Sequence, residues 1–309
     1  MMILINKLAD YNLQNTPVGL ALGNFDGVHL GHQALIRQCV QESRKNGWEP
    51  CVLTFDPHPG LVLQGAPKIK LLHTTTQKLG VIESLGIKTV FLLRFDRQLS
   101  STSPEDFIRE YLLKNLPVKI LFVGFNYTFG KRGSGTPQLL QKMSGSLGFE
   151  LRVIPPVNLD ECIVSSSLIR EKISAGDISG AARFLGYWPF LEGPVIHGEE
   201  RGRKLGFPTA NLEFPDYQLL PGFGVYAAYA ELEGRSFPAI VNIGVKPTFH
   251  GEKPTVEAHL FDYRENLYSQ KIRIHLREKI RSEIAFQNTS QLQLQIERDI
   301  QTARRLLKN

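Results

Sequence analysis

The sequence predicts an α/β protein in two parts: a parallel sheet flanked by helices, then an antiparallel barrel or sandwich with a terminal helix. Three observations predict it. The first 186 residues alternate short apolar runs with helical patterns, as in a sheet covered on both faces. Beyond Tyr187-Trp188-Pro189, strand-like runs are separated by Gly and Pro, and several alternate with period two. At the C-terminus, Leu292, Ile296, Ile300, Ala303 and Leu307 recur at helical spacing and form one apolar face.

The elements follow in order. Val18–Gly23 (VGLALG) is a continuous apolar run, as in a strand buried on both faces, and His32–Lys45 after it has helical character. Cys51–Phe55 is a second strand, with Thr76–Leu85 helical behind it. Thr89–Leu93 is a third, followed by Ser103–Leu113, where Ser-Pro-Glu-Asp marks a helix start. Val118–Val123 is a fourth, with a helix over Gln138–Leu147, and Leu151–Ile154 a fifth, with a helix from Ser165 to Ile173. The second part carries strand-like runs at Leu191–His197, Gly224–Leu232, Phe237–Ile243, Thr255–Phe261 and Lys271–Leu276. There is no internal repeat. The expected domains are 1–186 and 187–309.

A length of 309 residues suits two domains. Hydrophobic residues at 42% and charged residues at 21% exclude a disordered chain, a collagen-like repeat and a disulfide scaffold. Nowhere do 18 apolar residues run together, so no membrane partner is expected. The N-terminal apolar run is short and has no basic region before it, unlike a signal peptide. Cys39, Cys51 and Cys162 are odd in number and lack a C-x-x-C pair, which reads as reduced thiols in a cytoplasmic protein. The net charge of +6 fits anionic ligands such as nucleotides, phosphates or nucleic acid. No recognised nucleic-acid motif accompanies it, so no nucleic-acid partner is expected. Oligomeric state is not written in the sequence.

The first chemical constellation is Gly23-Asn24-Phe25-Asp26-Gly27-Val28-His29-Leu30-Gly31-His32, between the first strand and the first helix. Ligands of open α/β sheets sit outside the carboxyl ends of the strands, and a helix N-terminus there offers N–H groups to phosphate. His29 and His32 lie three apart, with Gly31 between them, so both rings can face one site and donate to an α-phosphate as charge develops. A metal site would need a third ligand, and none lies nearby.

His29-x-Gly31-His32 resembles the H-x-G-H signature of nucleotidyltransferases. The longer string GNFDGVHLGHQ resembles the start of the bacterial bifunctional riboflavin kinase/FAD synthetase family. Val164-Ser165-Ser166-Ser167-Leu168-Ile169-Arg170 resembles the family's I-S-S-T-x-I-R segment, with Val for Ile and Ser for Thr. Without the resemblance it reads as a serine cap with a surface arginine. Val123-Gly124-Phe125-Asn126-Tyr127-Thr128-Phe129-Gly130 resembles V-G-x-[DN]-F-x-F-G, with Asn126 at a position that is often Asp. The following Lys131–Gly135 reads either as a phosphate-contacting loop or as a solvated basic turn. Phe55-Asp56-Pro57-His58-Pro59 matches the family's flavin-side segment, an aromatic and two prolines that suit a flat ring.

In the second part, residues 197–211 (HGEERGRKLGFPTAN) are dense in Gly and cations but lack the G-K-[ST] of a Walker loop. Thr209 and Asn211 lie two apart, so on an extended segment both side chains face one way and offer neutral oxygens of the kind Mg²⁺ accepts. The string resembles the flavokinase signature G-x-x-x-G-R-x-L-G-F-P-T-A-N. The segments Gly224-Val225-Tyr226, Asn242–Phe249 (NIGVKPTF) and Val256–Asp262 (VEAHLFD) resemble its later motifs in order. By itself Glu257 reads as a solvated strand glutamate.

The resemblance spans residues 18–304. It implies a Rossmann-like nucleotidyltransferase domain followed by a β-barrel flavokinase domain with a terminal helix. It implies two reactions: phosphorylation of riboflavin by ATP to FMN, then adenylylation of FMN by a second ATP to FAD, with Mg²⁺. It assigns His29 and His32 to catalysis and Gly23, Phe25, Asn126, Ser166 and Arg170 to ATP in the first domain. Phe55, Pro57, Pro59 and Arg277 fall to flavin. Gly202, Arg203, Gly206, Thr209 and Asn211 fall to the kinase ATP, Thr209 and Asn211 also to the metal, and Glu257 to the base. The implied partners are small molecules: riboflavin, FMN and ATP.

Overall fold

A computed structural model of the chain describes residues 2–11, 16–63, 69–198, 202, 205–248, 251–263 and 265–308. Its contacts divide the chain into two compact units, Met1–Ser166 and Ser167–Asn309.

In the first unit, β1 (Ile3–Ile5), β2 (Val18–Leu22), β3 (Glu49–Phe55), β4 (Thr89–Leu93), β5 (Val118–Gly124) and β6 (Glu150–Ile154) form one sheet. Its order is β1-β4-β3-β2-β5-β6, and every neighbouring pair is parallel. Helix α1 (Leu30–Lys45) connects β2 to β3. Helices α2 (Pro59–Leu63) and α3 (Thr75–Ser84) lie between β3 and β4. Helix α4 (Arg97–Ser100) and α5 (Pro104–Asp106), which continues into a π-helical stretch at Phe107–Leu113, lead to β5; α6 (Pro137–Leu147) leads to β6. A hairpin of β7 (Asn158–Leu159) and β8 (Cys162–Ile163) precedes α7 (Ser166–Ala175) and α8 (Ile178–Leu185).

Every residue of β2 is buried. Leu20 and Leu22 join one core, with Leu53, Phe91 and Leu121. Ala21 joins the other, with Ile36, Val52, Val90 and Phe122. Alternate side chains therefore fill opposite faces of a sheet covered on both, which is why the run reads as uniformly apolar. Local chemistry sets the helix starts: Thr74 and Gln77 form a reciprocal capping box on α3, and Thr136 caps α6 just ahead of Pro137. Strand β1 is too short to show a period, and its Ile3 and Leu4 are exposed.

The sheet order places the first site. The chain runs outward from β2 to β3 and β4, then returns to set β5 on the other side of β2. The carboxyl ends of β2 and β5 are thus the point where strand order reverses, where ligands of such sheets bind.

In the second unit, β9 (Phe190–Ile196), β10 (Ala210–Leu212), β11 (Gly224–Leu232), β12 (Arg235–Thr248), β13 (Gly251–Leu260) and β14 (Lys271–Arg281) close into a barrel of order β10-β13-β12-β11-β14-β9. Its pairs are antiparallel. The period-two pattern is common to a barrel and a sandwich; closure rests on β10, three residues that pair with both β9 and β13. Inward residues include Leu212, Tyr226, Ala228, Val241, Val256, Ala258 and Ile274. Helix α9 (Thr289–Leu306), capped by Asn288, lies on the outer face over Val225, Ala227, Ile240 and Phe261.

The sequence boundary at 186/187 and the contact boundary at 166/167 differ because α8 and most of α7 pack with the barrel. Gly222 N–H donates to the Ile173 carbonyl at 3.1 Å. Ile178 belongs to the barrel core, and a Cβ on Gly176 would press on Lys279 and the Tyr226 hydroxyl at 2.7 and 3.0 Å. Helical periodicity shows that a helix has an apolar face, not which sheet that face meets.

Candidate active sites

The first site grows from the turn between β2 and α1. Phe25, Gly27 and Val28 all take positive φ, at 52°, 77° and 34°. Such backbone persists only when its surroundings hold it. Here the buried Asp26 carboxylate accepts from the backbone N–H groups of Leu72 at 3.0 Å and His73 at 3.3 Å. Ser166 Oγ donates to the Asp26 carbonyl at 2.9 Å. The turn brings the Phe25 ring so close to Gly23 that a Cβ there would meet it at 2.8 Å.

His29 is the N-cap of α1, and its Nδ1 accepts from the His32 N–H at 3.4 Å. That bond leaves the proton of a neutral His29 on Nε2. The rings of His29 and His32 stack, with centroids 3.6 Å apart and planes 18° apart, and Phe25 meets His32 edge-on at 5.4 Å. A Cβ on Gly31 would lie 3.2 Å from the His29 ring, so the glycine of H-x-G-H makes room for the first histidine. Burial above all, then the adjacent His29 and Lys78, hold His32 well below the ordinary histidine range. His32 is therefore neutral at pH 7.

The structure brings Gly23, Phe25, His29 and His32 onto one turn, and Ser166 bonds to that turn from the start of α7. Asn126 follows β5, the strand beside β2, and is exposed. Arg170 stands four residues beyond Ser166 on α7, past the division between the units. The flavin-side segment divides. Phe55 belongs to the core and packs edge-on against Phe95 at 5.4 Å, whereas Pro57 is exposed and Pro59 opens α2 half-buried. Lys131–Gly133 form a 3₁₀ turn with Lys131 and Arg132 exposed.

Sequence reasoning misses Lys78. From α3, its buried ammonium donates to Thr54 Oγ1 at 2.9 Å and to the carbonyls of Asn24 and Phe55 at 3.2 and 3.3 Å. Burial pushes it down to about 8, against the opposing pull of Asp26 and Asp56. A lysine in an amphipathic helix carries no signal that it points inward.

The second site lies on the outer face of the barrel. Strand register sets Glu257 opposite Asn211 of β10 on one side and Asn242 of β12 on the other. Asn242 in turn faces Val225, which faces Arg281. Val256 points inward at 1% exposure, and Glu257, one residue on, is half-buried on the outer face. This row lines a cavity of about 330 Å³ with Phe207, Thr209, Phe286, Leu292 and Ile296. Asp299 of α9, 3% exposed, closes one wall by pairing with Arg281 at 2.8 Å, and Gln295 donates to the same carboxylate at 2.8 Å.

Thr209 also lines a second cavity of about 560 Å³, with Val195, Pro208, Tyr263, Asn266 and Tyr268. Two glycines beside it, Gly198 and Gly202, are tightly fitted. A Cβ on Gly202 would meet the Phe207 carbonyl at 2.4 Å, and one on Gly198 would meet the Asn211 amide at 2.2 Å. His259 Nδ1–H donates to the Pro208 carbonyl at 2.8 Å and so anchors the P-T-A-N segment to β13. Gly206 lies in the same loop with φ 89°; Arg203 lies outside the described residues. Arg277 does not reach the first cavity: its guanidinium lies over the rings of Trp188 and Tyr229, 4.7 and 5.1 Å from their centroids. Asn242 and His259 lie within the flavokinase-like segments, but that they meet Arg281, Phe286 and Asp299 at one cavity follows from strand register and the docking of α9, which no local pattern encodes.

A histidine pair at the switch point of a parallel sheet, with a barrel cavity that joins a carboxylate to Thr and Asn oxygens, defines a two-domain enzyme of phosphate-group transfer. A family model described as FAD synthetase matches residues 12–168, and one described as riboflavin kinase matches residues 185–307. The bifunctional riboflavin kinase/FMN adenylyltransferase of Bacillus subtilis is 38% identical over 94% of this chain and 92% of its own. That of Haemophilus influenzae is 35% identical over 98% of both chains, and that of Escherichia coli K12 is 35% identical over 95% of both. A crystal structure described as a macrolide-efflux protein from Streptococcus pneumoniae shares the architecture with TM-score 0.88 and 29% identity, over 98% of both chains. The chain belongs to the bifunctional riboflavin kinase/FMN adenylyltransferase family.

Proposed function

We propose that the two activities are divided between the two sites, FMN formation on the barrel (187–309) and FAD formation on the parallel sheet (1–186). The observation that carries this reading is the register Asn211–Glu257–Asn242 over one cavity, which unites residues distant in sequence.

On the barrel, the flavin ring occupies the cavity walled by Phe207, Phe286, Leu292 and Ile296, and ATP occupies the second cavity. Thr209, common to both, stands where the reacting groups meet. Glu257 accepts the proton of the ribityl hydroxyl; the hydroxyl oxygen bonds to the γ-phosphorus, the bond from the γ-phosphorus to the β–γ bridging oxygen breaks, and ADP leaves with that oxygen. Thr209 and Asn211 suit Mg²⁺, since both line the cavity and carry a hydroxyl and an amide oxygen of the kind it accepts; the ion would neutralise charge on the phosphates. Gly202, Arg203 and Gly206 belong to the loop that takes those phosphates. Arg277, over the Trp188 and Tyr229 rings, steadies the barrel wall beside the flavin site.

On the sheet, a phosphate oxygen of FMN bonds to the α-phosphorus of a second ATP, the bond from the α-phosphorus to the α–β bridging oxygen breaks, and pyrophosphate leaves with that oxygen. His29, through Nε2–H, and neutral His32 donate to the α-phosphate as charge builds up. Gly23 and Phe25 shape the turn, Asn126 faces the nucleotide just beyond β5, and Ser166 holds the departing pyrophosphate. Pro57 and Pro59 flank the flavin. Neither step needs a covalent enzyme intermediate; catalysis is positioning and charge stabilisation.

Among the described residues no helix is long and apolar enough to cross a membrane. The cysteines are free thiols, with Cys39 and Cys51 buried, and they support a cytoplasmic setting. The test is one incubation of the purified chain with riboflavin, ATP and Mg²⁺, read by chromatography. FMN followed by FAD is the expected result; a chain that makes neither overturns the reading.

A further inference from the structure

Lys78 sits on α3, outside every motif of the sequence, yet its ammonium reaches the turn that carries the histidines. It is 5% exposed. Burying a charge is costly, and an apolar side chain of similar length would fill the same space without that cost. The charge is spent on three oxygens, and one of them is shared. The Asn24 carbonyl accepts from Lys78 Nζ at 3.2 Å and from Thr54 Oγ1 at 3.2 Å, while Lys78 also donates to Thr54 Oγ1 at 2.9 Å. Asn24 immediately precedes the three residues of positive φ, Phe25, Gly27 and Val28, that lead into His29. Asp26, two residues on, is held by the Leu72 and His73 N–H groups, and Lys78 and Thr54 hold Asn24 from α3 and the end of β3.

We propose that Lys78 is a positioning residue of the adenylyltransferase site: with Thr54 it clamps the Asn24 carbonyl and so keeps the strained turn, and the two histidines it presents, in register with the α-phosphate. It touches no reacting atom. The inference rests on the reading that this domain makes FAD; a wild-type chain that makes none would sink that reading, whereas the variants below test the clamp itself.

The experiment uses the full-length chain and follows FMN to FAD and riboflavin to FMN in the same preparations. A loosened turn misplaces donors that matter most in the transition state, and misplacement by about 1 Å costs up to a hundredfold. Lys78→Met is therefore expected to lower kcat for FAD formation by roughly 10- to 100-fold. The KM values for ATP and FMN should stay within about threefold, because binding common to ground and transition states is retained. FMN formation should be unchanged. Thr54→Val is expected to lower the same kcat less, and the double variant to lose no more than Lys78→Met, since both act on one carbonyl. A wild-type kcat in Lys78→Met, a raised KM with kcat intact, or parallel loss of both activities would overturn the proposal. Should Lys78→Met fail to fold, Thr54→Val decides: reduced kcat with unchanged KM supports the clamp, and unchanged kcat overturns it.

Discussion

At the scale of single residues, the two sites make separable predictions. His29→Ala and His32→Ala together should abolish FAD formation and spare FMN formation. Losing one donor aimed at developing charge costs about 100- to 1000-fold in rate, and product analysis from riboflavin and from added FMN reads both steps. Glu257→Gln keeps size and loses basicity. It should stop FMN formation while added FMN still becomes FAD; an undiminished rate of FMN accumulation would place the base elsewhere. His32 also makes stability depend on pH. Its folded pKa is depressed below the histidine value of 6.5, so as pH falls through 6.5 the unfolded chain takes up a proton that the folded chain refuses. The first domain should lose about 1.4 kcal/mol per pH unit relative to His32→Asn in that window. Urea titrations of both proteins at pH 7.5 and 5.5 measure it, and parallel stabilities would show that His32 is protonated in the fold.

At the scale of elements, the terminal helix is part of the kinase cavity. Leu292 and Ile296 line it, and the buried Asp299 pairs with Arg281 at 2.8 Å. Removing one partner of a buried pair leaves an uncompensated charge, so Asp299→Ala should destabilise the barrel by about 3 kcal/mol and weaken riboflavin binding. Denaturant unfolding of the variant beside fluorescence titration with riboflavin checks both effects. The outer-face apolar residues Val225, Ala227, Ile240 and Phe261 show why the helix must be present at all. The helix itself is legible from its period. That its polar Asp299 points inward is not, because an acidic residue in a helix reads as solvated until a buried arginine is placed opposite.

At the scale of the whole molecule, the question is where the kinase begins. The riboflavin kinase match starts at residue 185, but Ile173, Gly176 and Ile178 pack with the barrel. A fragment of residues 167–309 should fold and convert riboflavin to FMN, never to FAD. A fragment starting at Tyr187 should melt lower, since it uncovers the surface under Ile178, where deleting a buried aliphatic side chain alone costs about 2–5 kcal/mol. Thermal melts and product chromatography of both fragments check this. Equal melting temperatures would return the boundary to 187.

The sequence by itself determined the two-part α/β architecture, the strand–helix alternation of the first part, the terminal helix and the motifs that are contiguous in the chain. H-x-G-H is legible because a glycine turn, a helix start and two histidines act within ten residues. Other features are decided only by tertiary structure. Barrel closure depends on the three-residue β10 meeting two partners. Phe55, the last residue of β3, lies in the core against Phe95. Glu257 acquires its neighbours from strand register across 46 residues from Asn211 to Glu257. Lys78 reaches the Asn24 carbonyl across 54 residues. Local pattern encodes which face of an element is apolar; it does not encode which distant element that face, or a buried charge, will meet, because that choice is settled by packing of the whole chain.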